Sequence, residues 1–333
     1  MYRNVEQGCH DTAVTVHNWF DTPSASNSLE VIRVETESLV LAFLPGAGGR
    51  LLSLRVSGVE LLWQNPSFFD VALNPVIPRS EWPIIDGTMK SWANIGGSKT
   101  WPAPQGWAGP GQWPGPPDAI LDAGPWSMEL QESTDQWWIV LGSPKDLRSG
   151  LQVQRNFQIP KDRSSFTEII TFTNVMPVPI SWSIWEVCQV ATELGEAGGS
   201  GHVVVSVADE SPPVVLAEAV GRMEVDTRIE GCVSIPIAPV VGKLGFPSAS
   251  GSVSYLRNDG HGLTLEFDPI PGADYPDQGS RAELWMQTPL DYPLAQFGDL
   301  ESTANLVELE ILSPSLHLAP GGSDSLTIHW SAF

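Results

Sequence analysis

Apolar and polar positions alternate along much of this chain with the period of a β-strand. In the segment 151–159, Leu151, Val153, Phe157 and Ile159 share one face. Segments 38–44, 50–56 and 59–63 read as consecutive strands, joined by the Pro45-Gly-Ala-Gly-Gly49 turn and by Ser57-Gly58. Further strands are predicted at 137–141, 166–173, 182–187, 203–207, 263–267, 282–286, 306–312 and 325–330. Glycine and proline clusters separate nearly all of them. Segment 213–220 is the one candidate for a short helix, and the glycine-rich 195–201 is the best candidate for a flexible loop. Many short strands divided by turn signals predict an all-β sandwich or barrel. A single large two-sheet domain over 1–333, with 1–28 as an N-terminal extension, is the economical arrangement.

Composition narrows the setting. The 333 residues are 42% hydrophobic, enough for a large core. No apolar run is long enough to span a bilayer. The first ten residues lack the apolar centre of a signal peptide, so a cytoplasmic protein is expected. Cys9, Cys188 and Cys232 are isolated and fit reduced thiols. Seventeen Lys+Arg against 39 Asp+Glu give a formal charge of -22, which argues against nucleic acid and anionic membrane as partners. The acids are scattered, as on a solvated surface. Phosphate loops, dinucleotide fingerprints, zinc-protease motifs and nucleophile elbows are absent, and neither cofactor nor metal is called for. The oligomeric state is left open.

Candidate chemistry concentrates in Asn94-Ile-Gly-Gly-Ser-Lys-Thr-Trp-Pro-Ala-Pro-Gln105 and its continuation to Trp113-Pro-Gly-Pro-Pro-Asp118. Proline and glycine exclude long helix there and restrict strand. Flat aromatic faces beside a few polar groups suit sugar rings, with their apolar C–H faces and rim of hydroxyls. The competing reading is a lid over one end of a sandwich.

Several segments together resemble the galactose-mutarotase-like superfamily, closest to an uncharacterised bacterial branch of it. Leu44-Pro-Gly-Ala-Gly-Gly-Arg-Leu-Leu-Ser-Leu54 with Gly58-Val-Glu-Leu-Leu-Trp63 is similar to its first hairpin. The block 94–105 resembles that branch's signature, 172–189 the central strand pair, and 307–314 with 318–322 the last strands. The resemblance implies a large mutarotase-like β-sandwich, or supersandwich. It also implies acid–base chemistry on a sugar, with a C-terminal glutamate taking the anomeric proton and a histidine protonating the ring oxygen. This chain departs at the histidine. Val175 follows Asn174 where mutarotases have one, and Gln189 stands where related epimerases carry another. Glutamine can hydrogen-bond a ring oxygen but cannot protonate it.

Individual residues then divide by role. Glu308 and Glu310 alternate on one strand, so both project from one face, roughly 6.5–7 Å apart along it. Carboxylates at that spacing repel, which raises the pKa of one and lets acid and base coexist. Either one is a candidate base; both as surface charges is the alternative. Glu186, in an apolar run, must be paired or face a cavity. Lys99 is a candidate acid or anion ligand, or an ion-pair partner of Glu186 or Asp118. Arg50 reaches either a ligand anion or an internal carboxylate. Gln105 and Gln189 are candidate hydroxyl ligands. Trp92, Trp101, Trp107 and Trp113 are candidate stacking platforms, of which one or two are expected to face a ligand. Asp118 and Asp122 are candidates for ligand contact or turn capping, and Asp299 and Glu301 have weaker claims. The expected partner is a small molecule, a sugar first. The leading function is a carbohydrate-active, epimerase-like enzyme. The alternatives are a non-catalytic sugar-binding protein and an enzyme acting on a non-sugar metabolite in a tryptophan-lined pocket.

Overall fold

The computed structural model describes residues 15–19, 29–105, 115–192 and 201–333, with only the backbone described for 15–19. Strands follow one another as β1 (Thr15–Trp19), β2 (Ile32–Glu35), β3 (Leu39–Leu44), β4 (Arg50–Val56), β5 (Val59–Glu60), β6 (Ser98–Ala103) and β7 (Ser127–Glu132). Next come β8 (Gln136–Gly142), β9 (Leu151–Pro160), β10 (Ser165–Asn174), β11 (Ile180–Val190), β12 (Gly201–Val207), β13 (Val214–Val220) and β14 (Cys232–Pro236). The last are β15 (Val241–Phe246), β16 (Ala249–Arg257), β17 (Gly262–Phe267), β18 (Ala282–Gln287), β19 (Leu306–Leu312), β20 (Leu316–Leu318) and β21 (Ser323–Ala332). They form two antiparallel sheets. The first runs β1-β7-β8-β9-β10-β21-β17-β16-β12-β14; the second runs β13-β15-β18-β19-β11-β6-β4-β3-β2, with β20 on β11 and β5 on β4.

Alternation decides which face each strand buries. In β9 the odd positions from Leu151 to Ile159 are buried, and in β10 the even positions from Phe166 to Phe172. These meet Leu51, Ile184, Leu309 and Ile311 of the second sheet in one apolar cluster. Burying each large aliphatic or aromatic side chain contributes roughly 1.5–3 kcal/mol. Segment 213–220 is a strand, not the short helix expected from sequence. Its β-branched valines suit a pleated edge, and β13 pairs with β15 from Val214↔Gly245 to Val220↔Val241. The expected N-terminal extension contributes β1, which pairs with β7. Segment 195–201 lies outside the described residues except for Gly201.

Charged side chains also occupy inward positions. Arg155 of β9 and Glu168 of β10 are fully buried and joined at 2.7 Å. Arg155 also reaches Glu186 of β11 at 2.9 Å, the hydroxyl of Ser98 at 2.7 Å, and the carbonyls of Gly49 and Ser98. Trp330 donates to Glu168 at 3.0 Å. Two acids facing one guanidinium favour keeping one proton. Burial pushes Glu186 up to about 8, with Arg155 pulling the other way and Glu168 adding to the rise. A carboxyl raised in the folded state stabilises fully below its ordinary value of 4.5, and that contribution is lost as pH rises through about 8. The stability of the protein relative to its Glu186→Gln variant is therefore expected to fall as pH is raised across this window. Urea midpoints of the two proteins against pH test this; parallel curves would contradict it.

Candidate functional site

The register of the second sheet sets out one face residue by residue. Glu308 lies opposite Gln189 on one side and Trp285 on the other. Glu310 lies opposite Val187 and Glu283, Lys99 opposite Val187, Trp101 opposite Trp185, and Lys243 opposite Trp285. Directly paired residues project from the same face. This face is turned away from the first sheet, because the intervening residue Glu186 is the one that meets Arg155. An ion pair between Glu186 and Lys99 was one of the alternatives left open by the sequence. The structure instead places Glu186 in the inter-sheet core with Arg155, Ser98 and Thr100. One step along a strand reverses the side chain, which separates it from its neighbours in sequence.

The loop before β6 explains how Lys99 is presented. Gly96 and Gly97 have φ of 102° and 75°. A Cβ on Gly96 would stand 2.2 Å from the Trp63 carbonyl oxygen, and one on Gly97 2.5 Å from that of Leu51. Only glycine fits this approach. Arg50, fully buried, ties the loop down by donating to the carbonyls of Gly96 and Ala47. It also forms an ion pair with buried Asp122, whose other oxygen accepts from Trp92 Nε1 at 2.9 Å. Of its two readings, Arg50 thus takes the internal ion pair, and through Asp122 it holds Trp92.

Two lysines organise the carboxylates. Lys243 contacts Glu283 at 2.6 Å and Glu310 at 2.8 Å, and lies 4.4 Å above the Trp185 ring. Trp185 Nε1 donates to the same Glu310 oxygen at 2.6 Å. Burial works against a charged Lys243, but the two carboxylates more than offset it and hold the ammonium above the ordinary lysine range. Burial raises both Glu283 and Glu310 above the ordinary carboxylate value, and Lys243 pulls both back. Glu310 is thereby locked into a paired, buried group. Glu308 differs: its side chain keeps 11% exposure. Its Oε1 accepts from Gln189 Nε2 at 2.6 Å and Lys99 Nζ at 3.3 Å, while no described residue bonds Oε2. Lys99 sits 4.6 Å above Trp101 and 6.0 Å from the Trp92 ring centre. Burial pulls its pKa below the usual lysine value, and Glu308 pulls back.

The remaining candidates are more dispersed. Trp101 is buried against Trp92 and Trp185, so its rings pack within the sheet face. Trp92 is half-buried. Asp118 is buried, pairs with Arg148 and accepts from Ile120 N at 2.8 Å, so it caps a turn. Gln105 donates to the Gly115 carbonyl at 2.6 Å. Trp107 and Trp113 lie outside the described residues. Lys243, Glu283 and Trp285 were not singled out from the sequence. Glu283, Trp285 and Gln287 alternate through an apolar strand, a signal of a polar face that was available. A surface cavity of about 380 Å³ beside β13 and β15, lined by Val215, Glu218, Arg222 and Leu244, contains none of these carboxylates.

No family model matches the sequence, and no curated protein matches it. Solved structures do match the arrangement of strands. A galactose mutarotase-like protein from Clostridium acetobutylicum aligns over 96% of this chain and 98% of its own, at 10% identity and a TM-score of 0.56. The chain has the galactose-mutarotase-like fold. A provisionally named aldose 1-epimerase from Klebsiella pneumoniae shares this mutarotase-like fold, with a TM-score of 0.60 at 11% identity over 97% of this chain and 84% of that one. A TPR-domain containing protein from Parabacteroides distasonis shares it too, with a TM-score of 0.59 at 14% identity over 91% of this chain; the chain spans only 46% of that protein.

Proposed function

We propose that this mutarotase-like protein is a carbohydrate-active enzyme that interconverts anomers of a sugar, with Glu308 as base and Lys99 as acid. The observation that carries the reading is the contrast among the three carboxylates of the face. Glu283 and Glu310 are buried and ion-paired with Lys243, whereas Glu308 keeps solvent access beside Lys99. Glu308 takes the proton of the anomeric hydroxyl while Lys99 gives one to the ring oxygen. The ring C–O bond breaks and a carbonyl forms. After rotation, the ring hydroxyl returns its proton to Lys99 and Glu308 returns its own to the new anomeric oxygen. A lysine whose pKa is lowered by burial is a better acid near neutral pH than a solvated one. Trp92 and Trp285, both half-buried, are the aromatic side chains left as candidate ring contacts.

NMR exchange spectroscopy on a panel of aldoses, uronic acids and sugar phosphates tests the reading. Faster anomer exchange of one sugar supports it; a silent protein sinks it. Lys99→Met is expected to lower kcat about a hundredfold. The acid must be protonated to act, so wild-type activity falls at alkaline pH, and this limb should vanish in the variant. Preservation of the limb would remove Lys99 from the role.

A second reading, a non-catalytic sugar-binding protein, rests on the histidines. Among the described residues, His202, His261, His317 and His329 all lie away from Glu308: on the first sheet, on the turn before β17 beside Asp259, or bonded to Ser181 and Thr167. Line broadening without exchange would favour it.

A further inference from the structure

Gln189 is fully buried, and its side chain is only half used. Its Nε2 donates to Glu308 Oε1 at 2.6 Å. An ionised carboxylate only accepts, so the amide must turn its nitrogen, not its oxygen, toward Glu308. That orientation leaves Oε1 as a buried acceptor, and no donor among the described residues reaches it. The Lys99 ammonium, the charged donor beside it, is given to Glu308 Oε1 at 3.3 Å. The Gln189 N–H is given to the Gly97 carbonyl at 3.1 Å, and its C=O accepts from Trp63 N at 2.9 Å. Cross-strand, it faces Glu308, an acceptor; two residues back along β11 is apolar Val187. A buried acceptor left without a donor costs free energy, and such atoms in folded proteins call for an explanation.

We propose that Gln189 is a specificity-determining residue whose side-chain oxygen accepts a hydrogen bond from a ligand hydroxyl, on the ring carbon next to the one at which Glu308 acts. The inference rests on the assignment of Glu308 as the reacting base. Glu308 and Gln189 stand opposite each other in register, with their head groups hydrogen-bonded. Two hydroxyls on adjacent carbons of one ring match two neighbouring acceptors: one donates to Glu308, the other to Gln189. For an aldose reacting at its anomeric carbon, the second hydroxyl is the one at carbon 2. A ligand lacking it leaves the Gln189 oxygen buried and unpaired, and is penalised for that.

The test compares D-glucose with 2-deoxy-D-glucose and D-galactose with 2-deoxy-D-galactose, by titration calorimetry for binding and by NMR exchange for turnover. In the wild-type protein at least one parent sugar is expected to bind about tenfold or more tightly than its 2-deoxy analogue. In Gln189→Met, of similar length but without an acceptor, the ratio is expected to fall to near one. Equal binding of parent and analogue by the wild type overturns the proposal, as does discrimination that survives in Gln189→Met. Absence of binding by all four sugars at millimolar concentration also overturns it. The wild-type arm stands even where the variant does not fold. Binding that discriminates without anomer exchange separates the two ideas: the hydroxyl contact holds and the catalytic reading fails.

Discussion

Glu308→Gln is expected to lower the rate of anomer exchange about a thousandfold, with little change in KM. The amide keeps the shape of the carboxylate and still occupies the space between Gln189 and Trp285, but it cannot take a proton. Glu310→Gln is the informative contrast. Its carboxylate already contacts Lys243 and Trp185. Losing its charge leaves Lys243 paired with Glu283, so a much smaller kinetic effect is expected. Exchange rates of both variants at saturating sugar make the comparison. Undiminished turnover by Glu308→Gln, or equal losses in the two, would remove Glu308 as the base.

The second large effect concerns stability. Arg155→Met removes the only cation that pairs, among the described residues, with Glu168 and Glu186, both fully buried. Stripping one partner from a buried charge group costs about 3–5 kcal/mol, because the others are left without compensation. The same variant is expected to regain much of the loss when Glu168 and Glu186 are both made glutamine, since neutral amides need no counter-charge. Denaturant unfolding of the single and triple variants measures both. A loss under about 1 kcal/mol in Arg155→Met would mean that the acids simply retain their protons at little expense.

Much of the architecture is legible in the chain, because period-two alternation survives wherever one sheet face is buried. Strands such as β9, β10 and β19 follow from it directly. The same rule already separates Glu186 from Trp185 and Val187, yet it does not say which side meets the other sheet. That depends on Arg155, which sits on the inward face among Leu151, Val153, Phe157 and Ile159. A charge at an inward position was the available signal, matched by Glu168 between Phe166 and Ile170. Glu308 and Glu310 are recognisable as a pair from their spacing alone. Their division of labour is not, since it depends on Lys243 and Glu283. These arrive from β15 and β18, and only the strand order brings them alongside β19. Segment 213–220 misleads because an edge strand carries less regular alternation; β13 holds two bulges against β15.

The position of β21 has a consequence for how the molecule is made. In the first sheet this strand lies between β10 and β17, so it joins β7–β10 to the strands that follow β11. It is also the last strand in chain order. During synthesis the two halves of that sheet remain open edges until residues 323–332 have emerged from the ribosome, and Glu168 waits as long for the indole of Trp330. A nascent chain stalled before β21 therefore exposes the edge of β10, a long strand with alternating apolar residues and a ready template for wrong pairing.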